Sequence, residues 1–286
     1  ASELAGLTAR AQGIWGEARK ASDFAAFAPT LAKVVALKRE EAEAIAAPGQ
    51  TPYDALLNDF EPGAKAADLT DMFARLRKGL VPLAEQAAET GPAPALSGHF
   101  GHAAQMGLAR DVATAFGYDW DAGRLDLAVH PFSSGGRGDA RITTRVDEAD
   151  PFNCLYSTIH EVGHAVYEQN IDADLFGRPS GDAASMGVHE SQSRFFENAV
   201  GRSRAFAEWL QPKVRAALGD AAPATPDAFF RAANRIAPGF IRTEADEVHY
   251  NLHVLMRFDL ERALIAGDLA AADLADAWRA RAEADF

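Results

Sequence analysis

Ser157-Thr158-Ile159-His160-Glu161-Val162-Gly163-His164-Ala165-Val166-Tyr167 is a His-Glu-x-x-His motif set in helical spacing. Four residues make about one helical turn, so His160 and His164 project from one face. Two imidazoles so placed suit a tetrahedral zinc ion. Glu161 lies about 100° further round the helix, near enough to act as a base on a water in the site. Phe152, Leu155, Tyr156, Ile159, Val162 and Val166 supply an apolar face, and Pro151 stands where a helix start favours proline. The segment reads as the core of a zinc-dependent peptidase. The competing reading is a helix with two solvated histidines and a solvated glutamate.

A catalytic zinc takes three protein ligands and keeps one position open, so a third ligand must come from another segment. Gly187 to Asn198 also reads as a helix and carries His189, Glu190 and Glu197. Glu190 is the first choice and His189 its rival, since imidazole binds zinc equally well. Glu197, two turns along, reads more simply as a surface carboxylate.

Further motifs follow in order along the chain: His130-Pro131-Phe132, Asp139-Ala140-Arg141-Ile142-Thr143, the His160 helix, His189-Glu190-Ser191-Gln192 and Ile241-Arg242-Thr243-Glu244-Ala245-Asp246. With them the sequence resembles the thermostable metallocarboxypeptidases typified by carboxypeptidase Taq. Tyr53-Asp54-Ala55-Leu56-Leu57 and Glu61-Pro62-Gly63 extend the likeness through nearly the whole chain. The resemblance implies metal ligands His160, His164 and Glu190, with Glu161 as the catalytic carboxylate. It implies release of single residues from peptide C-termini with broad side-chain tolerance, and a homodimer. One departure stands out: the family's Gly-x-x-Gln motif is absent, as is the tyrosine expected from the same C-terminal region. The chain is therefore expected to be a fragment, a proteolysed product or a shortened relative.

Recognition of a free C-terminus calls for a cation, and arginine can grip a carboxylate with two parallel hydrogen bonds. Arg141 and Arg242 are the candidates, against the alternative of ordinary salt bridges; Arg137 and Arg145 read as solvated. His130 is a candidate for bonding the substrate or the developing oxyanion, or else a structural histidine of a turn. Asp246 and His253 share a helix face with Tyr250, and Asp246 is a candidate acceptor for the outer N–H of a zinc-bound imidazole. His249 and His253 lack the glutamate and third ligand that a second metal site needs. His99 and His102 read as surface residues.

Composition bounds the remaining possibilities. The chain has 286 residues, 28 basic against 41 acidic, for a net charge of −13. Such a balance disfavours nucleic acid and anionic membranes as partners, because phosphates need Lys and Arg patches. Cys154 is the only cysteine, which forbids an intrachain disulfide and fits a cytoplasmic setting. It reads as a buried structural residue rather than a nucleophile. No stretch has a signal-peptide pattern or membrane-spanning length.

The expected fold class is mainly α: a helical zinc-peptidase architecture with a small antiparallel β element beside the His-Glu-x-x-His helix. Helical spacing covers about 3–19, 30–47, 67–89 and 98–116, with Thr30 as an N-cap, a kink or restart at Pro82, and connections at 47–52, 61–63 and 91–94. Residues 124–146 read as β, with a turn at 133–138 and the 139–146 strand offered as the edge along which an extended peptide pairs. A loop is expected at 171–181. Later helices are expected at about 202–218, 226–236, 243–265 and 270–284. The whole is read as one catalytic region over 1–286, helical in 1–123 and carrying the β element and zinc site in 124–286. The function expected is a zinc-dependent metallocarboxypeptidase with one divalent ion, zinc before cobalt or manganese, acting on peptides with a free C-terminus. The alternatives are a metalloendopeptidase or dipeptidyl carboxypeptidase, or a catalytically incompetent metal- or peptide-binding fragment.

Overall fold

The computed structural model describes residues 1–90 and 96–286. The connection expected at 91–94 lies outside them. The chain divides into two compact units, Ala1–Gly91 with Ile236–Phe286, and Pro92–Arg235.

The first unit is helical. It contains α1 (Ser2–Ala21), α2 (Phe24–Ile45), α3 (Pro52–Leu57) and α4 (Ala66–Thr90) from the N-terminal part. From the C-terminal part it takes α10 (Glu247–Ala266) and α11 (Leu274–Asp285). The start of α2 departs from expectation: Asp23, not Thr30, is the N-cap, accepting from the Ala26 N–H at 3.1 Å. Pro29 is carried within the helix. A proline so near the N-terminus orphans only one carbonyl, so an effective cap upstream outweighs it. Likewise α4 runs through Pro82 without restarting. The short α3 has too few residues to show periodicity; Thr51 caps it by accepting from Asp54 N–H. Arg39 donates to the Leu264 carbonyl, and Arg77 bridges Asp259 at 3.0 Å and Asp285 at 3.1 Å. These bonds tie α2 and α4 to α10 and α11.

The second unit holds α5 (His102–Ala115), strands β1 (Leu125–Leu127), β2 (Ser133–Gly136) and β3 (Asp139–Thr144), then α6 (Pro151–Gln169), α7 (Met186–Arg194), α8 (Arg204–Leu218) and α9 (Pro226–Ala233). The β element is a mixed sheet of order β1-β3-β2, not a purely antiparallel one. β2 and β3 form the expected antiparallel pair, while β1 lies parallel to β3. Ser133–Gly136, read as turn, is strand; the turn itself is confined to Arg137 and Gly138. Glycine and serine disfavour strands by propensity, and here the main-chain pairing with β3 overrides it.

α6 is held on two flanks. Leu155, Tyr156 and Ile159 pack with Leu108 and Val112 of α5, Leu210 and Val214 of α8, and Phe229 of α9. Cys154, Val162 and Ala165 pack against Leu125, Ala140 and Ile142 of the sheet. Cys154 is buried, as expected. The Asp150 carboxylate accepts from Phe152 N–H at 3.0 Å, with Pro151 in the first turn. Phe229 is fully buried at the junction. Phe229→Ala is expected to cost about 3–5 kcal/mol of stability in denaturant unfolding, from lost burial and the cavity left behind. A loss below about 1 kcal/mol would mean that the site collapses without penalty. Among the described residues, no helix is long and apolar enough to cross a membrane.

Candidate metal centre

With both flanks of α6 buried, the remaining stripe carries His160, His164 and Glu168, half-buried and facing α7. α7 starts at Ser185, whose hydroxyl caps it by accepting from Val188 N–H at 3.0 Å. Its approach to α6 depends on Gly163. A Cβ there would stand 2.5 Å from Ser193 Cα, 2.8 Å from Gln192 O and 2.9 Å from Ser193 N, all backbone atoms. The glycine inside the motif therefore lets the two helices meet main chain to main chain.

That contact brings Glu190 over the two histidines. His164 Nε2 lies 3.3 Å from Glu190 Oε2, and His160 Nε2 lies 3.7 Å from Glu190 Oε1. Ligand atoms of His160, His164 and Glu190 fall within 4.8 Å of one another, and no other group of this kind occurs among the described residues. Both imidazoles converge through Nε2 because each Nδ1 is engaged behind. His160 Nδ1 meets Glu197 Oε2 at 2.9 Å, and His164 Nδ1 meets His189 Nδ1 at 2.6 Å.

One expectation is corrected here. Glu197 is no surface carboxylate: its side chain is only 14% exposed, and Arg194 (3.2 Å) and Arg202 (3.5 Å) flank it. It lies where α7 widens into a π-helical segment, Phe195–Val200, a departure from the α-helical path that periodicity assumes. His189, the rival third ligand, stands behind His164, with its Nε2 on Glu168 Oε1 at 2.8 Å.

The charges are strongly coupled. Burial works against a charged His160, yet Glu197, Glu190 and Glu161 outweigh it and hold the imidazole pKa above its usual value. Burial also pushes Glu190 up, but the His164 hydrogen bond, His160 and Arg194 overcome it and hold the carboxyl at about 2. Glu197 is lowered in the same way: its bond to His160 and the Arg194 charge outweigh burial. Glu161 goes the other way, pushed up by burial against the opposing pull of His160 and His164. Its Oε2 is buried with no hydrogen-bond partner. A buried acceptor without a partner is costly and calls for a chemical reason.

The other sequence candidates are spread over both units. His130 stands in an exposed bend between β1 and β2. Arg141 gives both donors of its fork to Asp139, at 2.8 Å each. Arg137 and Arg145 are not simply solvated: they donate to the Ile171 carbonyl and to Asn153 Oδ1 (3.1 Å) respectively. His99 and His102 are exposed, as expected. In the first unit, Arg242 Nη1 donates to the Tyr250 hydroxyl at 2.6 Å. The Asp246 carboxylate is committed locally: it caps α10 through Val248 and His249 N–H, accepts from Ala237 N–H, and meets His249 Nδ1 at 2.7 Å. Behind His160 and His164 stand Glu197 and His189. His253 is buried, with Nε2 donating to the Gly239 carbonyl at 2.9 Å. The strand offered as a peptide edge is also corrected: β3 is the central strand, paired on both sides, so the free edges are β1 and β2.

A family model described as Carboxypeptidase Taq (M32) metallopeptidase matches residues 1–286. The chain belongs to that family. Among its M32 relatives, thermostable carboxypeptidase 1 of Thermus thermophilus is 44% identical over 291 residues, spanning 97% of this chain and 57% of that protein. Carboxypeptidase 1 of Bacillus subtilis is 40% identical, over 95% of this chain and 55% of its own length. The crystal structure of the M32 carboxypeptidase from Deinococcus radiodurans R1 matches with a TM-score of 0.96 at 43% identity, covering 99% of this chain and 58% of that one. The chain thus spans little more than half the length of the M32 proteins it matches.

Proposed function

We propose that the chain carries the metal centre of a carboxypeptidase that removes single residues from free peptide C-termini. The observation that supports this most directly is the meeting of His160 Nε2, His164 Nε2 and a Glu190 oxygen beside the orphaned Glu161 Oε2. This donor set fits a divalent cation, and zinc first, because two imidazoles and one carboxylate leave a fourth position open. A bound cation would supply Lewis acidity to the scissile carbonyl and to the attacking water. The chain's own residues do the rest. Glu197 and His189 aim the two imidazoles. Glu161 accepts the proton of the water that attacks the scissile carbonyl, then delivers it to the amine as the C–N bond breaks.

Arg242 is the preferred anchor for the terminal carboxylate, with Arg141 second. Arg242 Nη1 donates to the Tyr250 hydroxyl, whereas the Arg141 guanidinium already engages the Asp139 carboxylate through Nε and Nη2. Arg242→Ala is expected to lower kcat/KM by on the order of 10- to 100-fold, the worth of a lost charge-assisted hydrogen bond. An unchanged kcat/KM removes Arg242 from this role. His130 is kept as a substrate or oxyanion contact on its exposed position between the strands.

The extended peptide is assigned to the outer edge of β2, which packs beside α6. Thr143 N–H donates to the Phe132 carbonyl, while Ile142 N–H donates towards β1. Alternation along the antiparallel ladder then turns the main-chain groups of Ser133 and Gly135 outward.

The test is a mass-spectrometric time course on an unblocked peptide and its C-terminally amidated twin, with zinc, cobalt or manganese supplied. A ladder shortened by one residue at a time from the free peptide alone supports the reading. Cleavage of the amidated peptide favours an endopeptidase, release of dipeptides a dipeptidyl carboxypeptidase, and metal uptake without hydrolysis an incompetent binding module. A homodimer and a cytoplasmic setting belong to the same proposal, on the family resemblance and the single cysteine.

A further inference from the structure

The two candidate histidine ligands are backed in different ways. Behind His160 stands a carboxylate, Glu197, flanked by two arginines. Behind His164 stands another imidazole, His189, and only behind that a carboxylate, Glu168. The distances are 2.6 Å from His164 Nδ1 to His189 Nδ1 and 2.8 Å from His189 Nε2 to Glu168 Oε1.

This geometry dictates where the protons sit. A short contact between two ring nitrogens needs one N–H and one lone pair, and each neutral imidazole has one of each. A carboxylate only accepts, so Glu168 requires the proton of His189 on Nε2. His189 Nδ1 is then a lone pair and takes the N–H of His164 Nδ1. For a metal-bound His164 this leaves the lone pair on Nε2, the atom that faces Glu190 at 3.3 Å. The reverse arrangement sets a lone pair of His189 against the Glu168 carboxylate and puts an N–H where a metal ligand needs a lone pair.

We propose that Glu168 and His189 form a two-step relay that fixes the tautomer and ring orientation of His164 for metal binding. They are positioning residues, and this inference rests on the metal-centre reading above. Glu168 follows His164 by one turn on α6, and His189 precedes Glu190 on α7. The relay therefore also clips the helix bearing two candidate ligands to the helix bearing the third. The Tyr167 ring packs edge-on to His189 with centroids 5.0 Å apart and limits its rotation.

The test is zinc affinity, measured by competition with a chromophoric chelator, on the whole chain. Glu168→Gln swaps the anionic acceptor for a neutral amide and is expected to weaken zinc binding by about 10- to 100-fold, the usual cost of losing an outer-shell partner. His189→Phe keeps a ring beside Tyr167 and is expected to lose a similar factor; it carries the test if Glu168→Gln fails to fold. Adding Glu168→Gln to His189→Phe is expected to cost nothing more, because Glu168 acts only through His189. The visible spectrum of the cobalt-loaded protein is expected to shift in Glu168→Gln, which a purely structural defect would not produce. Asn170→Ala alters the same end of α6 outside the relay and is expected to leave affinity and spectrum unchanged. Wild-type affinity in Glu168→Gln, or fully additive losses in the double variant, overturns the relay alone. A wild-type chain that takes up no zinc overturns the metal centre, and the relay with it.

Discussion

Glu161→Gln is expected to reduce turnover by about 100- to 10,000-fold, the range that general acid–base catalysis supplies, while metal affinity stays at the wild-type level. The split follows from the geometry. Glu161 is on the ligand helix but outside the converging group of His160, His164 and Glu190. Its burial raises the carboxyl above its usual range, and Oε2 has no hydrogen-bond partner. A base so placed is closer in pKa to the protons it must exchange than a solvated glutamate. Glutamine preserves shape and removes only proton transfer. The check pairs peptide turnover with a metal titration of the same sample. Undiminished turnover removes Glu161 from catalysis; lost metal moves it into the ligand set.

Gly163→Val is expected to abolish tight metal binding without touching any ligand. Its Cβ would stand 2.5 Å from Ser193 Cα, and the obstructing atoms are backbone, which no rotamer change relieves. Either α7 withdraws from α6 or α6 tilts, and in both cases Glu190 leaves the two imidazoles. The loss is expected to exceed the roughly 10- to 100-fold that follows the loss of an outer-shell partner, because a ligand itself is displaced. Valine adds χ1 stiffness to the clash, so Gly163→Ala should be milder in the same direction. Metal titration beside far-UV circular dichroism reads the result: helix content kept, affinity lost. Wild-type affinity in Gly163→Val would mean that the approach of α7 does not set the position of Glu190.

How much of this was open to a reader of the sequence differs from residue to residue. His160, Glu161 and His164 are legible because one helical turn carries all three, and local spacing alone fixes their relation. Glu190 is legible through the motifs around it. Glu197 is not, because its place on His160 depends on a widened turn that periodicity does not foresee. Glu168 had a signal that went unused: it follows His164 by the same four residues that separate His164 from His160. The helices were largely legible, yet Asp23 rather than Thr30 starts α2, because a cap is a hydrogen bond and residue type only suggests one. Strand Leu125–Leu127 was visible by alternation, but its parallel pairing with β3 was not; three residues carry no sign of their partner's direction. Arg242, Asp246 and His253 show the limit of motif reading: the residues are found, and their partners, Tyr250, His249 and Gly239, follow only from the folded chain.

The division of the chain has a bearing on the order of assembly. Pro92–Arg235 is continuous in sequence, whereas the other unit joins Ala1–Gly91 to Ile236–Phe286. The whole of the middle unit separates α4 from α10 in sequence, and Val248 and Leu252 of α10 complete a cluster with Ala84 of α4. Contacts across so wide a sequence gap close late, since loop-closure entropy must be met before they form. The middle segment has no such wait. The pocket of histidines and glutamates is thus encoded in the stretch whose contacts close without waiting for a distant segment.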